Sequence, residues 1–440
     1  MTSASVPEPP LAGSTGGASG PELRLHGWRD QAVLVTAAIA GAAGFAQFGA
    51  SSALADVARS FGQTSAVGTT MAARVGLSVT VLGVGLGIIR LAALASLPMA
   101  GLADRVGRRR VMLACTTLGL ACSAAAALSP GYWWFVALFA LGRPLLATTN
   151  TVSGVIAAEE TRSSDRTKAI ALVTAGWGAG TGLIAVVRGV AGDALSWRGL
   201  FSLVVIPIAA MPLLGRRLRE PDRFRRLRDS AGTASGTHER ILARPPAELR
   251  SRLWLLTVLI GLLGLVTGPA NAMVFVYAES VLGLPRLATA GMVAAAGLLG
   301  LVGLLAGRWA ADRLGRRMTA GVTQAAVAAA AIVTYSGSPA AVIGGYLAAI
   351  LATSVFAPAT GAMAAELFPT SVRATVAGWM GVAGILGAVA GLVLFGMLVT
   401  YWNSFLLATV VVAVPVLALA PLYGRLPETA GMELEESAPD

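Results

Sequence analysis

The stretch from Ala100 to Leu113, AGLADRVGRRRVML, sets Asp104, Arg105, Gly107, Arg108, Arg109 and Arg110 between two long apolar runs. A single ionised side chain at the centre of a bilayer costs about 2.5 to 3.5 kcal/mol. The stretch must therefore be a turn at a membrane surface, with one helix ending before Asp104 and another starting near Arg110. A second copy, Gly307 to Ala320, GRWAADRLGRRMTA, follows 208 residues later with Asp312, Arg313, Gly315, Arg316 and Arg317 at matching places. The chain consists of two related halves.

With 55% apolar and 12% charged residues in 440, the composition exceeds what a soluble domain carries. The pattern predicts an all-α integral membrane protein of twelve spans, each about the 20 residues that cross a bilayer core. They fall at 31–55, 74–100, 110–128, 132–157, 168–191, 198–215, 253–277, 288–309, 317–336, 340–365, 374–399 and 402–423. All but one of the 33 basic residues are Arg, the exception being Lys168. They lie in short segments between apolar runs and not on one solvated face, so no nucleic-acid partner is expected.

With a cytoplasmic amino terminus, 26 basic residues fall in cytoplasmic segments, five in external ones and two within spans. The positive-inside rule then predicts a multi-pass protein of the cell membrane with both termini cytoplasmic. The domains expected are a disordered tail at 1–28, a six-helix bundle at 29–215, a basic linker at 216–252, a second bundle at 253–423 and a tail at 424–440. Eleven arginines in the linker suit anionic lipid headgroups. No cleavable signal peptide is expected, because the first apolar run is too long for one. Cys115 and Cys122, seven apart in one helix, lie about 10 Å from each other, too far for a disulfide. No phosphate-binding G-x-x-x-x-G-K-[ST] run occurs. An enzyme, a cofactor and a metal site are not expected.

The repeat extends beyond the turns. Glu159 and Arg166 are seven apart, as are Glu366 and Arg373, an offset of 207. Pro130 and Pro339 are offset by 209, and Trp197 and Trp402 by 205. Two parallel repeats predict two pseudo-symmetric bundles with a binding site between them.

At these residues the chain resembles the major facilitator superfamily over roughly residues 30 to 425. The G-x-L-A-D-R-x-G-R-R signature of that family is matched by Leu102, Ala103, Asp104, Arg105, Gly107, Arg108 and Arg109. The run ELFPTSVRATVAGW, Glu366 to Trp379, resembles the metabolite and aromatic-acid proton symporter branch. That branch carries D-G-x-D in its first span, where this chain has Ala43, Gly44, Phe45 and Ala46. Of the drug antiporters' span-five motif Gly180 and Gly189 remain, while Ile184, Ala185 and Arg188 depart from it. LPETAG, Leu426 to Gly431, resembles the sugar-porter tail.

The resemblance implies a monomeric secondary transporter of a small solute, with protons a candidate coupling ion, working by alternating access. It also implies that spans one, four, seven and ten, helped by two, five, eight and eleven, line the central cavity. Cavity candidates at mid-depth are then Gln47, Phe48, Arg143, Asn150, Trp177, Asn271, Phe356 and Trp379, joined by Arg90. For the turns it implies gating, with Asp104 accepting from the free amides that open span eleven. Arg105, Gly107, Arg108, Asp312, Arg313, Gly315 and Arg316, with Glu159, Arg166, Glu366 and Arg373, would complete the two gating clusters.

Arg90 and Arg143 carry the sharpest chemical signal, since no Asp or Glu lies comparably deep. A guanidinium holds a carboxylate or phosphate by two parallel hydrogen bonds, so an anionic metabolite is the expected solute. The competing readings are a drug or metabolite efflux antiporter, and a non-transporting transceptor or lipid-handling protein of the same fold. Arg188, near the outer end of span five, is expected to snorkel to water. Gly268-Pro269 is expected to break span seven beside Asn271 and free carbonyls for a ligand. The glycines of spans five and eleven are expected to let helices approach closely.

Overall fold

The computed structural model describes residues 27–63, 70–162, 165–222, 247–369 and 372–430. Most of the expected amino-terminal tail, the middle of the expected linker (223–246) and the end of the carboxyl-terminal tail (431–440) lie outside the described residues.

Twelve long helices are present among these residues. They are α1 (Gln31–Ser52), α2 (Val79–Val106), α3 (Arg108–Leu128), α4 (Tyr132–Glu160), α5 (Arg166–Ala194) and α6 (Trp197–Arg217) in the first half. The second half holds α7 (Leu249–Val281), α8 (Arg286–Arg313), α9 (Arg316–Thr334), α10 (Pro339–Glu366), α11 (Thr375–Trp402) and α12 (Phe405–Arg425). Eleven have the length and apolarity to cross a membrane. The exception, α9, carries Arg316, Arg317, Gln324 and three threonines in 19 residues.

The first two spans were expected to be longer at their facing ends. Instead α1 stops at Ser52 and two short helices, Leu54–Phe61 and Met71–Val75, follow before α2. Gly76, at φ 102°, breaks the chain after Met71–Val75, and the Ser78 side chain caps α2 by accepting from the Val81 amide. At the two charged turns, Gly107 and Gly315 hold φ of 121° and 94°, a region that disfavours any residue with a Cβ. The glycine in each copy of the motif is thus what lets α2 turn directly into α3 and α8 into α9.

The halves pack alike. In the first bundle α1 lies on α5, α3 on α4 and α2 on α4; in the second α7 lies on α11, α9 on α10 and α8 on α10. Lipid tails are as apolar as leucine, so helices in a bilayer gain little by hiding apolar surface from one another and depend on close packing. Glycine supplies that closeness at both central pairs. A Cβ on Gly180 would lie 1.9 Å from the Gly41 carbonyl oxygen, and one on Gly387 1.9 Å from that of Gly261. Gly176 against Ala37, and Gly391 against Leu265, extend the two seams. Gly178, Gly182 and Gly381 face open space and take no part.

The bundles meet along α2 with α11 and α5 with α8. Gly83 lies against the Leu392 backbone and Gly396 against Val79, with Thr80 and Thr400 hydroxyls 2.8 Å apart. Asn403, left-handed at φ 52°, ends α11 and its side chain accepts from the Met71 amide at 2.6 Å.

Gly387→Ala is expected to lower thermal stability by about 1 to 3 kcal/mol, the usual cost of overpacking, whereas Gly381→Ala should be neutral or stabilising. Equal unfolding midpoints for the two variants in detergent would contradict the seam.

Candidate functional site

The two turns build matching charge clusters. Arg108 pairs with Asp104 at 3.3 Å and Glu159 at 2.8 Å. Arg316 pairs with Asp312 at 3.1 Å and Glu366 at 3.0 Å. Each helix that leaves a turn is also capped by a distant glutamate. Glu220 accepts from the Arg108 amide at 2.6 Å and the Arg109 amide at 3.2 Å, and Glu428 from the Arg316 amide at 2.8 Å. A carboxylate there meets both the unpaired amides of a first turn and the positive end of the helix dipole. These two glutamates escaped the sequence reading, although they share the 208-residue offset of the turns and Glu428 falls in the LPETAG run.

Of the other expected gating residues, Arg373 donates to the Phe368 carbonyl at 3.0 Å, and Arg313 lies over the Trp309 ring. The Arg166 Nε is buried without a hydrogen-bond partner. Asp104 is 69% exposed and pairs with Arg108, with no contact to the start of α11. Among the described residues, every ion pair at this arginine-rich end joins groups of one bundle.

Midway along the first bundle lie the deep arginines. Arg90 and Arg143 each stand eleven residues from the start of their helices, α2 and α4, about 16 Å along the axis. They are near enough for the charge of Arg90 to act on Arg143. Arg143 donates to Gln47 Oε1 at 2.5 Å. Neither arginine has a carboxylate partner among the described residues. Around them, Gln47 Nε2, Arg143 Nε, Asn150 Oδ1 and Trp177 Nε1 are buried with no hydrogen-bond partner in the protein. Asn150 follows Arg143 by two helical turns, and Trp177 packs on Gly44, one turn before Gln47.

The second bundle contributes less. Phe48 packs edge-on against Phe275 of α7 with centroids 5.8 Å apart, bridging the bundles. Asn271 is half-buried. Phe356 is buried against Tyr423 of its own bundle, and Trp379 is 53% exposed, so neither joins the polar group. The expected break in α7 does not occur. The helix runs unbroken through Pro269 to Phe275, and the Tyr335 hydroxyl donates to the Pro269 carbonyl at 3.2 Å. A separate groove of about 740 Å³ between α1, α5 and α6 is apolar throughout and includes none of these candidates.

At the end opposite the charged turns, Arg188 departs from expectation. It is 4% exposed, and holds Asp56 through Nε at 2.9 Å and Glu279 through two bonds of 2.6 Å. Snorkelling is unnecessary where two carboxylates come to the guanidinium. Asp56 and Glu279 were not singled out because each follows an apolar run in a segment that reads as an external loop.

Two repeated six-helix bundles, joined at one end around a polar centre, define a multi-pass membrane transporter and not an enzyme. Residues 36–350 and 300–438 match the Major Facilitator Superfamily, and the chain belongs to that family. It is similar in structure to a bacterial homolog of the human lysosomal transporter Spinster in an inward-facing, unoccupied conformation, at TM-score 0.71 and 16% identity over 90% of this chain and 97% of that one. The xylose transporter XylE from E. coli in an inward-open conformation gives 0.71 and 16% over 91% and 98%. A point mutant of the nucleoside transporter NupG gives 0.69 and 13% over 89% and 99%. At such identities the likeness is one of fold. No curated protein matches the chain in sequence.

Glu220→Ala and Glu428→Ala should each cost about 0.5 to 2 kcal/mol, as loss of a helix cap does. Thermal unfolding in detergent measures this, and unchanged midpoints would remove the capping role.

Proposed function

We propose that the chain is a secondary transporter that moves a small anionic organic solute by alternating access, with the anion held between the bundles by Arg143 and Arg90. The observation that carries this reading is two neighbouring guanidinium groups at one depth without a carboxylate between them. Two such charges in a low-dielectric interior repel one another, and an anion relieves that repulsion while meeting the donors of Gln47 and Trp177. Buried polar groups left unmet cost about 1 to 3 kcal/mol each, which gives a solute with both charge and hydrogen-bonding groups its advantage.

The arginine-rich end faces the cytoplasm of a cell-membrane protein in this reading, supported by 26 basic residues on that side against five on the other. The bundles divide at the basic linker, where anionic headgroups are the natural partner. Protons are the candidate coupling ion, and the protein acts as a monomer. The cross-bundle hydrogen bonds among the described residues all lie at the opposite end, which supports a cytoplasm-open state. Asp104, exposed here, would meet the amides of α11 when that side closes.

Arg143→Ala should abolish uptake of an anionic substrate by proteoliposomes while leaving the unfolding midpoint near that of the parent; normal transport by this variant would count decisively against the site. Thermal-shift screening over organic acids, sugars and cationic drugs identifies the solute class, since a ligand stabilises the state it binds. Stabilisation by cationic drugs alone would favour the efflux reading. Asp104→Asn should raise labelling of cytoplasm-facing cavity cysteines, and unchanged labelling would sink the gate.

A further inference from the structure

The closed end holds an ion cluster that none of the preceding assignments uses. Asp56 and Arg59 come from the short helix Leu54–Phe61, Arg188 from α5, Glu279 from the end of α7 and Arg286 from the start of α8. Arg286 donates to Asp56 at 2.7 Å and Arg59 to the same oxygen at 2.8 Å. Thr289 donates to Glu279 at 2.9 Å. Arg286 also bonds the Gly192 carbonyl and pairs with the fully exposed Asp193, and Arg74 stands exposed on the adjoining helix Met71–Val75. Asp56, Arg59 and Arg188 belong to the first bundle, Glu279 and Arg286 to the second. Every link between the two sets therefore exists only while this end is shut.

We propose that this cluster is the latch of the closed end, with Arg188 as its hub, and that its parting is the step that opens the transporter to that side. Burying charged groups is a poor route to stability, because desolvation offsets most of the attraction. What such a cluster supplies is discrimination, since it is complete in one arrangement of the bundles and broken in any other. The backbone agrees. Val276–Val281, which carries Glu279, is a π-helical turn, a wider coil found mostly at functional positions in helices. At the arginine-rich end, by contrast, the ion pairs among the described residues are internal to each bundle and survive its opening. The latch rests on the alternating-access reading above but not on the anionic solute.

The test uses the full chain with Cys115→Ala and Cys122→Ala, and a reporter Phe48→Cys on the bridging Phe48–Phe275 contact. Membrane-impermeant maleimide is applied from the side of the latch in oriented vesicles. Removing Arg188, Asp56 and Glu279 charges together, as Arg188→Met, Asp56→Asn and Glu279→Gln, strands none of the three opposite its partner. This variant should stay folded and be labelled several-fold faster than its parent. Equal labelling of a folded triple variant would overturn the latch, and so would loss of thermal stability with no change in labelling. Separately, Thr80→Cys with Thr400→Cys, oxidised to a disulfide across α2 and α11, should stop both labelling and uptake until reduced. If that disulfide stops uptake while the triple variant labels like its parent, alternation stands and the latch falls.

Discussion

Everything in this structure depends on how two helices touch where hiding from water gives them nothing. In hydrocarbon each backbone amide and carbonyl must find its partner inside its own helix, so the helices are fixed as elements and only their contacts remain to be chosen. The chain makes those contacts at two crossings of the same kind, Gly41 and Gly180 in one half, Gly261 and Gly387 in the other. Backbones that lie this close hold each bundle as a rigid body. Rigid bundles are what a rocking motion requires, because a movement at one end is then carried to the other.

Charge is distributed by the opposite logic. At the arginine-rich turns each bundle satisfies itself. Arg108 gathers Asp104 and Glu159, Arg316 gathers Asp312 and Glu366, and Glu220 and Glu428 close the two helix starts. Such clusters stiffen each half without tying it to its neighbour. At the far end Arg188 reaches across, and the bundles are bound to one another. The polar centre between, with Arg90 and Arg143, has neither kind of settlement, and this imbalance separates a place for a ligand from a place for a strut.

The fold was readable because its determinants are local or periodic. Apolar runs of bilayer length set the helices, and the doubled turn set the two halves; the paired glutamates at 159 and 366 share its spacing and were found with it. What escaped was non-local. Whether Arg188 meets water or two carboxylates depends on where α1 and α7 end, and those ends were displaced by Gly76, Ser78 and the π-helical turn. Pro269 reads as a helix break, but the hydroxyl of Tyr335, 66 residues away, supplies a partner for its carbonyl and the helix continues. Among the cavity candidates, Arg143 and Gln47 are joined by a hydrogen bond, whereas Phe356 turned to Tyr423. Aromatic residues serve cores and cavities equally well, so the sequence cannot separate the two.

The two mid-depth arginines also have an electrical meaning. Each elementary charge carried across a membrane potential exchanges about 2.3 kcal/mol per 100 mV. A carrier whose binding site holds two fixed positive charges is itself a cation when empty and close to neutral when it holds a dianion. The loaded and empty halves of its cycle therefore feel the membrane voltage unequally, and the return of the empty protein is the half that the potential governs.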